Sequence, residues 1–217
     1  MVALVKTIGD PLEPFVLRAH LRTPVIRRGH VTLDALLMSS LACGDISHLL
    51  RCENDLYYAS SGFAVEAHAT QRASFVASMR PEHSPHWLEV LQPNTQDKDL
   101  RIGLSRQREA GNIVNAYSAT VASTIEWYAT GDMQAVLQVV RSIPFIGKRR
   151  TAGYGEIVRW DAEVGELDGV VGYADDPLRP VPTERWTQGG DWVPVEAAWK
   201  APYWDVRNRT RCFAPQV

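Results

Sequence analysis

The nine residues Gly147-Lys148-Arg149-Arg150-Thr151-Ala152-Gly153-Tyr154-Gly155 combine three glycines, three cations and one aromatic ring. Glycine lets the backbone reach positive φ and approach a ligand with no Cβ in the way, Lys and Arg supply charge, and Tyr154 supplies a flat face. Such a set suits a phosphate and an unpaired base. Two better-known phosphate loops are excluded. A Walker A loop would need Gly where Ser142 stands and Ser or Thr after Lys148, where Arg149 stands. A dinucleotide fingerprint would need a third glycine, and Val158 occupies its place.

The flanking residues decide how such a loop could work. Asp132 is a helix cap ahead of Met133, Val136, Leu137 and Val140, an i, i+3, i+4, i+7 apolar stripe that Pro144 brings to an end. Beyond the loop, Val158, Trp160, Ala162 and Val164 alternate with Arg159, Asp161 and Glu163, the period of a half-buried strand. The order is therefore helix, glycine loop, strand. Dinucleotide folds place the phosphate at a helix N-terminus, whereas this loop follows a C-terminus, whose dipole repels anions. Anion binding then rests on Lys148, Arg149, Arg150 and the loop amides, an arrangement adapted to a polyanion backbone. A plainer reading carries equal weight, because cations past a helix C-terminus complement its negative end and glycines commonly terminate helices.

Other candidate residues lie towards both ends. The basic link holding Arg27, Arg28 and His30 precedes a helix capped by Thr32 and running through Leu33, Leu36, Leu37 and Leu41. Arg106 and Arg108, with Arg101, fall before Gly111-Asn112, where they fit a solvated strand face or a protruding hairpin. Near the end, Tyr203 and Trp204 precede Arg207, Arg209 and Arg211, a pattern that serves base stacking with phosphate contact, or pins the tail to a sheet through Trp204. His83 and His86 beside Glu82 do not make a metal site, because Pro85 breaks the helix that their spacing would require. No cofactor fingerprint is present.

The whole chain sets the bounds. Its 217 residues carry a formal net charge of −2, which argues against indiscriminate nucleic-acid binding yet conceals a segregation of charge. Between Phe15 and Leu33 there are four arginines and no acid; between Asp161 and Asp176 there are six acids and no base. Cys43, Cys52 and Cys212 form neither a disulfide framework nor a zinc pattern, and they suit a reducing cytoplasm. No signal peptide or membrane-length apolar run is found.

Phe15, Leu17, Ala19 and Leu21 alternate as a first strand. Leu56–Ala59, Phe63–Glu66 and the alternation through Phe75 and Ala77 give further strands, and Ile113–Tyr128 a long one. Strand-helix-strand thus occurs twice, predicting an α+β, ferredoxin-like β-α-β-β-α-β domain over residues 1–165. A lobe is inserted at about residues 80–112, and an irregular Pro-, Gly- and Trp-rich extension, 166–217, packs on the domain.

A glycine-rich loop after the last helix of such a unit resembles the repeat-associated RNA-binding superfamily of CRISPR-associated complexes. The residues concerned are Trp127-Tyr128-Ala129-Thr130-Gly131-Asp132, Ile146-Gly147-Lys148-Arg149-Arg150 and Gly153-Tyr154-Gly155. Leu21-Arg22-Thr23-Pro24-Val25, running into Val31-Thr32-Leu33-Asp34-Ala35-Leu36-Leu37, and the tail Ala201-Pro202-Tyr203-Trp204 with Cys212 and Pro215 are similar to the small handle-capping subunit of type IV effector complexes. The resemblance implies a non-catalytic subunit that grips the 5′ handle of a guide RNA, packs against backbone and large subunits, and meets target DNA through the complex. It also implies an alternative, since relatives include metal-independent endoribonucleases. His20 and His30 beside Arg27 and Arg28, with Tyr154 and Lys148 as partners, would be the residues for that chemistry.

Overall fold

The structure, a computed structural model, describes residues 12–27, 29–41, 45–78 and 112–216. Its central sheet has four strands in the order β4-β5-β1-β6, where β1 is Glu13–Leu21, β4 Phe63–Ser78, β5 Asn112–Gly131 and β6 Ile157–Val164. β1 lies antiparallel to β5 on one side, with Leu17 opposite Trp127, and to β6 on the other, with Ala19 opposite Trp160. Alternation along β1 follows from this register. Phe15, Leu17 and Ala19 point with Ile125, Trp127, Ala129 and Trp160 into one buried cluster, and Arg18 and His20 point away from it.

Two helices complete that cluster. Helix α1, Leu33–Ser40, brings in Leu33, Leu36 and Leu37, and helix α2, Met133–Val140, brings in Val136, Leu137 and Val140. Both start one residue after the expected cap. Asp132 accepts from the Ala135 amide at 3.1 Å, satisfying one orphan donor of α2, whereas Thr32 stands at the α1 cap position without a side-chain capping bond. The two large rings at the centre have their polar atoms paired: Trp127 Nε1 donates to the Val31 carbonyl at 2.9 Å and Trp160 Nε1 to that of Ile143 at 3.0 Å.

The opposite face of the sheet is charged. Arg18 is held between Glu126 and Glu163, at 2.6 Å from each, and His20 meets Asp161 at 2.5 Å. The hydrogen bonds that Arg18 donates to Glu163 and Glu126 raise its pKa, so its charge is fixed.

The expected α+β ferredoxin-like class is corrected by this architecture. Among the described residues, nine strands in antiparallel sheets stand against two α-helices of eight residues each, and the chain is mostly β. Two stretches shift the balance. β4 and β5 run for 16 and 20 residues, so the pieces read as separate strands at Phe63–Glu66 and Phe75–Ala77 are one. Residues 66–72 between them are exposed, so ladder pairing with β5 rather than an apolar face keeps them extended. The tail expected to be irregular builds a second, three-stranded sheet in the order β7-β9-β8, from Val181–Pro182, Arg209–Phe213 and Val195–Ala198. The remaining strands, β2 at Cys52–Glu53 and β3 at Leu56–Tyr57, form a short hairpin.

The chain divides into two compact units, Met1–Thr70 with Ala119–Val217, and Gln71–Ser118. Within the smaller unit Phe75 and Tyr117 meet edge to face, with ring centroids 5.8 Å apart. The expected inserted lobe lies outside the described residues.

Candidate nucleic-acid interface

The glycine loop is closed at its base and fastened to the segment that follows β1. Ile146 is buried, its amide donates to the Gly155 carbonyl at 2.9 Å, and Phe145 bridges to Glu156. Lys148 N–H donates to the Ile26 carbonyl at 2.8 Å and Gly155 N–H to that of Pro24 at 2.9 Å. Glycine is required at both fastening points. Gly147 has φ +80° and a Cβ there would stand 2.4 Å from the Ile26 oxygen; Gly155 has φ +71° and its Cβ would stand 2.0 Å from the Ile146 oxygen. Gly153 also has positive φ, +84°, but no atom lies within 4 Å of a Cβ built on it.

Between these points the chain makes a single 3-10 turn, Arg150–Ala152, entered through Arg149 in the left-handed conformation at φ 59°. The amides of Lys148, Ala152, Gly153 and Gly155 all donate to protein carbonyls. The loop amides that the sequence suggested as phosphate donors are therefore largely committed to the fold, and attraction for an anion falls to the side chains. Lys148 and Arg150 are exposed, and Arg149 and Tyr154 half-buried.

The other candidate residues divide. Arg27 is half-buried and donates to the Gly62 carbonyl, and burial pulls its pKa down, so it ties the loop's neighbour to the residue just ahead of β4 instead of facing solvent. His30 is half-buried, burial lowers its pKa, and its buried Nδ1 has no hydrogen-bond partner among the described residues. Arg28, Arg106 and Arg108 lie outside the described residues. His20 sits on the charged sheet face with Asp161, whereas the Val31 carbonyl beside His30 rests on Trp127 of the apolar face.

In the tail, Tyr203 is a structural residue and Trp204 is not. The Tyr203 hydroxyl donates to Asp34 of α1 and accepts from Arg179 at 2.9 Å, while Trp204 is 84% exposed. Asp205 accepts from the Arg207 amide and takes the Arg207 guanidinium in a two-point ion pair. This holds the turn that carries Trp204. Arg209 and Arg211 are exposed on β9, on the side of that strand away from the buried Cys212.

Sequence reasoning missed Arg179. Its side chain is fully buried, donating to the carbonyls of Tyr57, Ala59 and Trp199 and pairing with the equally buried Asp34 at 3.4 Å. Burial presses its pKa down, but the Asp34 carboxylate and the Tyr203 hydroxyl outweigh that effect and keep it charged. The available signal was a lone arginine inside the run Leu178-Arg179-Pro180-Val181, which gives no hint of its partner.

Among the described residues no group of His, Cys, Asp and Glu is placed to hold a metal ion, and no helix is long and apolar enough to cross a membrane. The model of the CRISPR type IV associated protein Csf3 family matches residues 64–215, and the chain belongs to that family. The match takes in the glycine loop and the Trp204–Arg211 tail, and begins after β1 and α1. No curated protein matches the chain. The chain is thus a type IV CRISPR-associated component.

Proposed function

We propose that the chain is a non-catalytic guide-RNA-binding subunit of a type IV effector complex, holding the 5′ handle and contacting backbone and large subunits during DNA targeting. The observation that carries this reading is the fastened glycine loop. Its two ends are fixed by Gly147 and Gly155 against Ile26 and Ile146, and Lys148 and Arg150 are exposed between them. A preset loop loses little freedom when it meets a phosphate backbone. Trp204 and the arginines of β9 supply the stacking and charge that single-stranded RNA binding uses. Both regions fall within the residues matched to the family.

Charge reversal tests the loop. With Lys148→Glu and Arg150→Glu combined, guide RNA retained by the co-expressed complex at moderate salt is expected to fall about tenfold, since each cation contributes phosphate attraction. Both side chains are exposed, so the melting temperature should hardly move. Unchanged RNA content would sink the loop's role.

The absence of catalysis is tested separately. General acid-base cleavage needs two proton carriers in reach of one phosphate, whereas His20 is paired with Asp161 and burial lowers the pKa of His30. Repeat RNA incubated with the purified chain in the absence of divalent metal is expected to remain intact. Site-specific cuts ending in a cyclic phosphate, and lost in His30→Ala, would establish a nuclease instead.

A further inference from the structure

Next to the glycine loop lies an open groove of about 530 Å³ between the last turn of α1 and the segment that follows α2. Leu36, Ile143 and Phe145 give it apolar walls, and Arg150 stands on its lining with Thr151. Three serines complete it: Ser39 and Ser40 from α1, and Ser142 from beyond α2. The volume lies within the range of small-ligand sites, and apolar walls with a few polar groups are what a flat heterocycle needs.

We infer that this groove receives one unpaired nucleobase of the bound RNA, with its phosphate at Arg150, and that it favours bases carrying an exocyclic amino group. This inference rests on the RNA-binding reading above. The base preference comes from where the serine protons go. Ser39 Oγ donates to the Leu36 carbonyl at 2.7 Å, Ser40 Oγ to the same carbonyl at 2.9 Å, and Ser142 Oγ to that of Val139 at 2.8 Å. A hydroxyl has one proton and two lone pairs, so with its proton engaged it can only accept. The groove therefore offers acceptors from both walls. Adenine, cytosine and guanine present amino donors to such a site, whereas uracil presents carbonyl oxygens on either side of a single N–H. The cation at Arg150 completes the selection of a nucleotide over a neutral apolar side chain, which would leave the guanidinium without an anionic partner.

Photo-crosslinking of the co-expressed, RNA-containing complex tests the site. Ultraviolet irradiation followed by trypsin and mass spectrometry is expected to give a nucleotide attached at Phe145 in the peptide Ser142–Lys148, with adenine, cytosine or guanine as the attached base. Ser39→Phe places a ring into the groove from an exposed position, and is expected to lower that crosslink about tenfold. Ser142→Phe, from the opposite wall and also exposed, should repeat the loss and so guards against a folding defect in the first variant. RNA crosslinks elsewhere on the chain with none at Phe145 would overturn the groove and leave the RNA-binding reading standing. A uridine at Phe145, or a protein segment in place of a nucleotide, would also overturn it. A complex purified without RNA would remove the reading on which it rests.

Discussion

Gly155→Val is expected to unfold the base of the glycine loop and lower the melting temperature by about 6–12 °C, the shift that about 3 kcal/mol produces in a chain of this size. Two costs add. A β-branched residue at φ +71° is strained by at least about 1–2 kcal/mol, and its Cβ would lie 2.0 Å from the Ile146 oxygen, a distance no side-chain adjustment relieves. The backbone must move, and the bond from Ile146 N–H to the Gly155 carbonyl moves with it. Gly153→Val is the control. Its φ of +84° imposes the conformational cost, but open space surrounds the site, so a fall of only about 2–6 °C is expected. Thermal melts followed by circular dichroism compare the two. Equal shifts would mean that the close approach at Gly155 contributes nothing beyond backbone strain.

Arg179→Met is expected to cost about 3–5 kcal/mol, because it leaves the Asp34 carboxylate buried with its countercharge removed. The same change strips a donor from the carbonyls of Tyr57, Ala59 and Trp199, so the link between the second sheet and α1 loosens together with the ion pair. Combining Arg179→Met with Asp34→Leu should recover a large part of the loss, as buried pairs exchanged for apolar residues often do. Tyr203→Phe, which removes only a hydroxyl, should cost about 1–2 kcal/mol. Urea titration of the variants measures each value. If Arg179→Met unfolds at the wild-type midpoint, the pair is not what joins the tail to the helix.

Features governed by neighbours along the chain were legible in the sequence. The alternation of Phe15, Leu17 and Ala19 located β1, Asp132 with its apolar stripe located α2, and the positive φ of Gly153 agrees with its place in the loop. What was hidden depends on distant partners. Nothing local shows that exposed residues around His68 continue β4, since their extended form is imposed by β5. Nor do Trp199 and Cys212 announce a common cluster, because the strands that bring them together are only four and five residues long, with Pro202 in the turn between them. The binding residues show the same limit. Arg27 reads as one more cation in a basic link until the Gly62 carbonyl is seen to hold it, and Tyr203 reads as a stacking ring until Asp34 does.

The charged face of the central sheet bears on how fast this protein can find its partners. Arg18 and His20 are met there by Glu126, Glu163 and Asp161, so this face is not basic although the stretch of sequence that contains them is. Uncompensated charge reaches about 8 Å at physiological ionic strength, and an arginine held between two carboxylates projects little positive field even over that distance. On the RNA-binding reading proposed above, this face gives a strand no long-range steering, and attraction comes from the exposed cations of the glycine loop and of β9. On that reading a strand brought close by neighbouring subunits is captured by contact with those cations, and proximity replaces attraction from afar.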